Sequence, residues 1–279
     1  MNIGDRIVII GSGGCISSGV EDLLIKNNFK VYPLPRIKID LKNKFSINKL
    51  NRVIKKNDVI FFAAAEAPVK NLKMLLNNLL MAKNISQILR KKKPKYLLYL
   101  SSDSVYADSK NKLSENSELK PESMHGIMHL MREEIFKNLN VNFCIVRPTL
   151  VYGKKDPHNG YGPNQFIRSV KRKKIIELFG KGEELRDHIW IDDVCNSIYN
   201  LIVNRKTGVF NLVTGRTISF KKISHEIINV YKKKIKLILK KRNMPMPHNG
   251  YRAFRKSKIL FHFPKLKFKT FNQAVKNLL

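Results

Sequence analysis

Two histidines and a run of hydroxyls hold the chemistry of this sequence. His125 and His129 stand four residues apart, and on a helix that spacing puts both rings on one face. Imidazole titrates near pH ~6.5, so such a pair could move protons or ligate a metal. Upstream, Tyr96–Leu100 is an apolar run of the length and composition of a buried strand, and it ends in Ser101-Ser102-Asp103-Ser104-Val105-Tyr106. Hydroxyls gathered where a strand stops are placed to face a cleft. A polar loop holding Pro121 then leads into the histidine-bearing helix. A zinc motif of this spacing carries Glu directly after its first His, where Gly126 stands, and no third ligand is in view. No metal site is expected.

The elements around this centre read as a nucleotide-binding scaffold. Arg6–Ile10 is a β-branched run leading straight into Gly11-Ser12-Gly13-Gly14-Cys15-Ile16-Ser17, and Val20–Leu24 follows at helical spacing. Strand, glycine-rich turn and helix together aim backbone N–H groups and a helix N-terminus at a pyrophosphate. The register is G-x-x-G-x-x-G, with Gly11 for the tight turn, Gly14 for close approach of the phosphates, and Ser17 in the third place. The second strand is Lys30–Tyr32. An acidic residue at its end would hold the ribose of NAD, but Pro33-Leu34-Pro35-Arg36 stands there, and Arg36 favours the 2′-phosphate of NADP over NAD. The next strand opens at Asp58 and ends in Ala63-Ala64-Ala65, small enough to let a cofactor pass close by; a helix is expected over Asn71–Leu89 and a further strand over Val141–Val146.

LSSDSVYAD, followed by P-x-S-x-H-G-x-x-H-x-x-x-E-E, resembles the centre of an extended short-chain dehydrogenase/reductase of the NAD(P)-dependent nucleotide-sugar epimerase/dehydratase family. Ser102 takes the place of that family's catalytic hydroxyl, His125 stands where it has Tyr and His129 where it has Lys, an atypical HxxxH in place of YxxxK. The resemblance implies that Ser102 holds the sugar oxygen, His125 moves the proton and His129 contacts the nicotinamide ribose. It also places Asp40-Leu41 against the adenine, and Asp103, Ser104 and Asn164 with the substrate. Arg147–Gly153 resembles the segment that leaves the nucleotide domain, and the loop Lys154–Pro163 would be a substrate lid. Leu178–Val194 resembles the stretch in which Arg186 binds the nucleotide diphosphate; Arg186 could instead pair with Asp187 or Glu184. The implied fold is α/β, a Rossmann-type doubly wound parallel sheet with a small discontinuous C-terminal substrate lobe. Residues 1–153 and about 187–215 would form the NAD(P)-binding domain, with 154–186 and about 216–279 forming the lobe.

The expected activity is NAD(P)-dependent epimerisation or 4-keto reduction of a nucleotide-activated sugar, in surface polysaccharide biosynthesis. The family's 4,6-dehydratases carry Asp-Glu after the catalytic hydroxyl residue, whereas Asp103 here is followed by Ser104. The contrasting reading is a non-catalytic dinucleotide- or RNA-associated Rossmann protein, with His125 and His129 as relics of the lost Tyr/Lys pair. A net charge of +33 would suit a polyanion partner. Yet Lys91–Lys93, Lys171–Lys174, Lys232–Lys234 and Lys240–Arg242 are scattered, in a chain rich in Lys, Asn and Ile throughout. They read as solvated faces, and nucleic acid is not the expected partner. Cys15, Cys144 and Cys195 are odd in number and far apart, which argues against a disulfide framework and for the cytoplasm. No signal peptide or membrane-spanning run is read, and a homodimer is left open.

Overall fold

The computed structural model describes residues 5–154, 160–172, 175–232 and 234–278. Half of the expected lid at Lys154–Pro163, residues 155–159, and Lys173, Lys174 and Lys233 of the basic clusters, lie outside these. Two units divide the chain. The first comprises Met1–Ala107, Ser117–Arg147 and Cys195–Asn211; the second comprises Asp108–Asn116, Pro148–Val194 and Leu212–Leu279. The chain thus enters the second unit already at Asp108, where the Leu113 N–H donates to the Ala253 carbonyl.

In the first unit, β1 (Arg6–Ser12), β2 (Lys30–Pro35), β3 (Val59–Phe62), β4 (Tyr96–Leu100), β5 (Phe143–Pro148) and β9 (Gly208–Leu212) form a sheet in the order β2-β1-β3-β4-β5-β9. The β2–β1, β1–β3, β3–β4 and β4–β5 pairs are parallel. Strands buried on both faces need apolar side chains at consecutive positions, and Ile7–Ile10, Val59–Phe62 and Tyr96–Tyr99 are all at most 1% exposed. The order reverses at β1, between β2 and β3, which opens a crevice at the carboxyl ends of β1 and β3. Helices α1 (Cys15–Lys26), α2 (Lys44–Val53), α3 (Leu72–Lys92) and α4 (Met124–Lys137) connect the strands. Asn71 and Ser123 cap α3 and α4, accepting from the Met74 and Gly126 N–H groups. Asp58 is a clasp: Arg6 binds both its oxygens, at 2.9 and 2.6 Å, joining the starts of β1 and β3.

In the second unit, β8 (Leu185–Trp190) pairs with β6 (Leu150–Tyr152), β10 (Thr217–Ser219) and β12 (Tyr251–Arg252), while β7 (Ile175–Phe179) pairs with β11 (Lys236–Lys240). Helices α5 (Pro163–Arg172), α7 (Phe220–Tyr231), α8 (Ile259–His262) and α9 (Phe271–Lys276) belong here, and α6 (Ile191–Val203) runs from this unit into the first. Trp190 is core, 2% exposed against the Tyr152 ring. Among the described residues, no helix is long and apolar enough to cross a membrane.

Asp193, in the first turn of α6, accepts the Lys269 N–H at 2.9 Å. Burial pushes its carboxyl from 3.8 up to about 6. The folded state therefore holds a proton that the unfolded chain releases, so stability falls as pH rises through that window, by on the order of 2–3 kcal/mol. Asp193→Asn should abolish the fall, which urea midpoints at pH ~4 and ~7 would show as a flattened difference.

Candidate active site

The glycine-rich turn is shaped by contact as well as by conformation. Gly11 has φ +89°, and a Cβ there would sit 2.5 Å from the Ala64 Cα. Only glycine lets the β1 exit lie so close to the β3 exit. Gly13, at φ +90°, faces open space. Gly14 heads α1 with no side-chain cap, and no acidic residue enters the first turn. That helix end is left positive and fits an anion such as a dinucleotide pyrophosphate. Ser17 is more than a small substitute: its hydroxyl donates to the Gly11 carbonyl at 2.9 Å and also lies 3.1 Å from the Gly14 carbonyl. Close helix packing falls instead at Gly19, where a Cβ would come 2.6 Å from the Cys195 Sγ. Ser12 is buried, Cys15 and Ile16 are half-buried, and the Cys195 thiol reaches the Ile16 carbonyl at 3.5 Å.

Arg36 follows β2 directly, which runs three residues further than Tyr32. Its side chain is 69% exposed and lies 3.8 Å from Glu66. Glu66 also takes Lys42 at 2.7 Å and the Asn77 amide at 2.9 Å, and the Lys42 hydrogen bond above all holds its carboxyl below the ordinary range. Asp40 accepts the Lys42 N–H at 3.0 Å, and Leu41 is buried in the core beside Ile39 and Leu50. Ala63 and Ala64 are half-buried and Ala65 is exposed.

Helix α4 brings the histidines to the hydroxyl loop. A Cβ on Gly126 would lie 2.1 Å from the Ser104 carbonyl oxygen and 2.7 Å from the Pro121 Cβ. The short turn Asp103–Val105 therefore rests on the helix backbone immediately beside His125. Ser101 and Ser102 divide the work. Ser101 is buried and donates to Glu133 at 2.5 Å. Ser102 is half-buried and accepts from the Ser104 N–H (3.2 Å) and hydroxyl (3.0 Å), which leaves its own O–H to donate. His125 is half-buried, with the Val69 N–H 3.5 Å from its Nδ1. Its ring meets that of His129 edge to face, with centroids 4.6 Å apart. His129 is only 4% exposed, and its Nδ1 lies 2.7 Å from the Tyr99 hydroxyl. Burial, with His125 and Arg132 alongside, pushes the His129 imidazole well below its usual pKa of 6.5. That disfavours the charged ring, and the fixed charge of a lysine is missing at that position.

A buried polar lattice holds the helix there. Glu133 receives Arg147 through Nε (2.9 Å) and Nη2 (2.5 Å), Arg147 donates to the Tyr106 hydroxyl at 2.8 Å, and Tyr106 donates to Asn211 at 2.7 Å. Arg132 is also fully buried. It donates to the Ala64 carbonyl at 2.8 Å and lies over the Phe62 and Tyr99 rings, 4.7 and 5.3 Å from their centroids. Sequence reasoning passed over Tyr99, Arg132 and Glu133. The signal for two of them was present: Arg132 and Glu133 follow His129 by three and four residues, on the face that a buried helix turns inward.

In the second unit, Arg186 is buried and pairs with Glu184 at 2.6 Å, while donating to the Pro247 carbonyl at 3.1 Å. Glu184 also holds Arg242 at 3.2 Å. One carboxylate between two guanidiniums leaves the cluster net positive. Asn164 accepts the Gly153 N–H at 3.1 Å. Asp108 binds both His248 and Arg252, a grouping with no local sequence signal because the partners are 140 and 144 residues away. No group of three or more His, Cys, Asp or Glu that could hold a metal occurs among the described residues.

Comparison with known proteins bears on the family and the fold. The model of the NAD dependent epimerase/dehydratase family matches residues 7–212. An ADP-L-glycero-D-manno-heptose-6-epimerase of Brachyspira hyodysenteriae is 33% identical over 264 residues, covering 81% of this chain and 81% of its own. In fold, the chain resembles the UDP-glucose 4-epimerase of Thermus thermophilus in complex with NAD, with TM-score 0.83, 18% identity and 97% and 96% of the two chains covered. It also resembles the dTDP-4-dehydrorhamnose reductase of Bacillus anthracis in complex with NADP, with TM-score 0.83, 18% identity and 98% of each chain covered.

Proposed function

This chain is a member of the NAD dependent epimerase/dehydratase family, and from that premise we propose that it binds a nicotinamide dinucleotide, NADP in preference to NAD, and epimerises or 4-keto-reduces a nucleotide-activated sugar. The bound dinucleotide would exchange a hydride with the sugar. The protein's share is to bind, orient and move the proton. The observation that carries this reading is the seating of the Asp103–Val105 turn on Gly126, which packs the Ser102 loop against the helix turn bearing His125. Ser102 has an O–H left to donate to a sugar oxygen, and His125 would move the proton at that oxygen. Asp103 and Ser104 line the same loop, and Ser104 in place of Glu disfavours 4,6-dehydration. Arg186, sharing Glu184 with Arg242, is assigned to the diphosphate. Arg36, exposed and only loosely held by Glu66, is assigned to the NADP 2′-phosphate. We place the product among the activated sugars that supply surface polysaccharide.

Fluorescence titration with NADPH and NADH at moderate salt is the test. Saturable binding is expected, with NADPH tighter by about tenfold and that margin lost in Arg36→Ala. On a nucleotide sugar that turns over, His125→Ala should lower kcat by roughly 10²–10⁴. Failure to bind either dinucleotide would sink the proposal. Binding without turnover of any nucleotide sugar would favour a non-catalytic dinucleotide protein, the role that the buried, neutral His129 would suit.

A further inference from the structure

A lysine at position 129 would supply both a fixed charge and a hydrogen-bond donor, whereas a neutral histidine can supply only the donor, and only from the nitrogen that carries its proton. Which nitrogen that is follows from Tyr99. The phenol is 1% exposed, and its hydroxyl has His129 Nδ1 as hydrogen-bond partner at 2.7 Å. Arg132 also lies against the ring, and a guanidinium has donors only, so it cannot accept the phenol proton, while the nearby Glu133 carboxylate is taken by Ser101 and Arg147. A buried O–H without an acceptor is costly. Tyr99 therefore donates to Nδ1, and the single proton of the neutral ring sits on Nε2. Protonating Nδ1 as well would strand the phenol proton and put a second buried cation three residues along the helix from Arg132, which is 0% exposed and, among the described residues, touches a carbonyl, an amide, a thioether and two rings but no carboxylate.

We propose, on the reading above that a dinucleotide occupies the cradle, that Tyr99 and Arg132 hold His129 as a neutral Nε2–H donor for a ribose hydroxyl, with the fixed positive charge relocated from position 129 to Arg132. The Arg132 guanidinium is anchored on the Ala64 carbonyl, and Ala64 is the residue against which Gly11 closes. The relocated charge thus sits directly behind the cradle wall. Tyr99 and Arg132 are positioning residues, acting through His129 and the end of β3.

Two-bond ¹H–¹⁵N correlation of histidine-labelled protein, without cofactor, distinguishes the tautomers; His129→Gln assigns the signal. Wild type at pH ~7 should show His129 protonated on Nε2 alone. Tyr99→Phe should give a mixture of tautomers and weaken NADPH binding about fivefold. The charge is tested by exchange. His129→Lys alone should lower Tm and weaken NADPH binding, whereas His129→Lys with Arg132→Met should recover both, because only one buried cation remains. A wild-type proton on Nδ1, a charged His129 at neutral pH, or a single His129→Lys variant as stable as the double would overturn the inference even with dinucleotide binding intact. If wild type binds neither dinucleotide, the functional proposal and the ribose ligand fall together, while the tautomer assignment is still decided by the spectrum.

Discussion

Gly126→Ala should cost the protein its candidate active-site loop while leaving the Rossmann sheet in place. The added methyl would meet the Ser104 carbonyl oxygen at 2.1 Å and the Pro121 Cβ at 2.7 Å. A backbone carbonyl cannot rotate aside as a side-chain end can, so either the Asp103–Val105 turn lifts or helix α4 shifts. Overpacking of this kind costs about 1–3 kcal/mol. On the roles proposed for Ser102 and His125 the effect on turnover should be larger, because the lifted turn carries Ser102 away from His125, and displacement of reacting groups by about 1 Å can cost about 10²-fold. Circular dichroism and urea unfolding should show a folded, moderately weakened protein with turnover down by about two orders of magnitude. Wild-type turnover in Gly126→Ala would show that the packing of loop on helix does not set the site.

Glu133→Ala should have the largest effect on stability. Glu133 is fully buried and binds two nitrogens of Arg147 and the Ser101 hydroxyl. Removing it strands a guanidinium that is 1% exposed, and breaking a buried pair in this way costs about 3–5 kcal/mol, a large share of the ~5–15 kcal/mol that holds a domain together. The paired replacement Glu133→Leu with Arg147→Met removes both charges of this pair, so neither is stranded, and should cost much less than the sum of the single changes. A urea series on the three variants checks both statements. A Glu133→Ala midpoint close to wild type would mean that water reaches Arg147 and that the lattice does not fix α4.

These expectations differ in how far they could be seen in advance. The glycine turn, the apolar strands and the shared face of His125 and His129 all depend on residues within one or two turns of each other. Propensity and periodicity are local, and the motif match to the family is a match of such local patterns. Glu184 as an Arg186 partner was visible for the same reason, being two residues away. Its second guanidinium, Arg242, lies 58 residues from it and was not. The chain's first entry into the second unit, at Asp108, likewise depends on a bridge to residues near Phe254.

The candidate site residues themselves show the division most clearly. By itself the sequence determined that a hydroxyl cluster ends a buried strand, that two histidines stand where a tyrosine and a lysine are expected, and that a glycine turn heads the first helix. Only the tertiary structure decided which hydroxyl is consumed, Ser101 by Glu133, and which is left, Ser102. It alone placed Tyr99, 30 residues upstream, on His129, and set a buried guanidinium against the end of β3. The physical reason is that an imidazole's charge and tautomer are set by whatever lies within hydrogen-bonding and desolvating distance. In a parallel sheet those neighbours come from strands joined by long crossovers, whose side-by-side order no local pattern encodes.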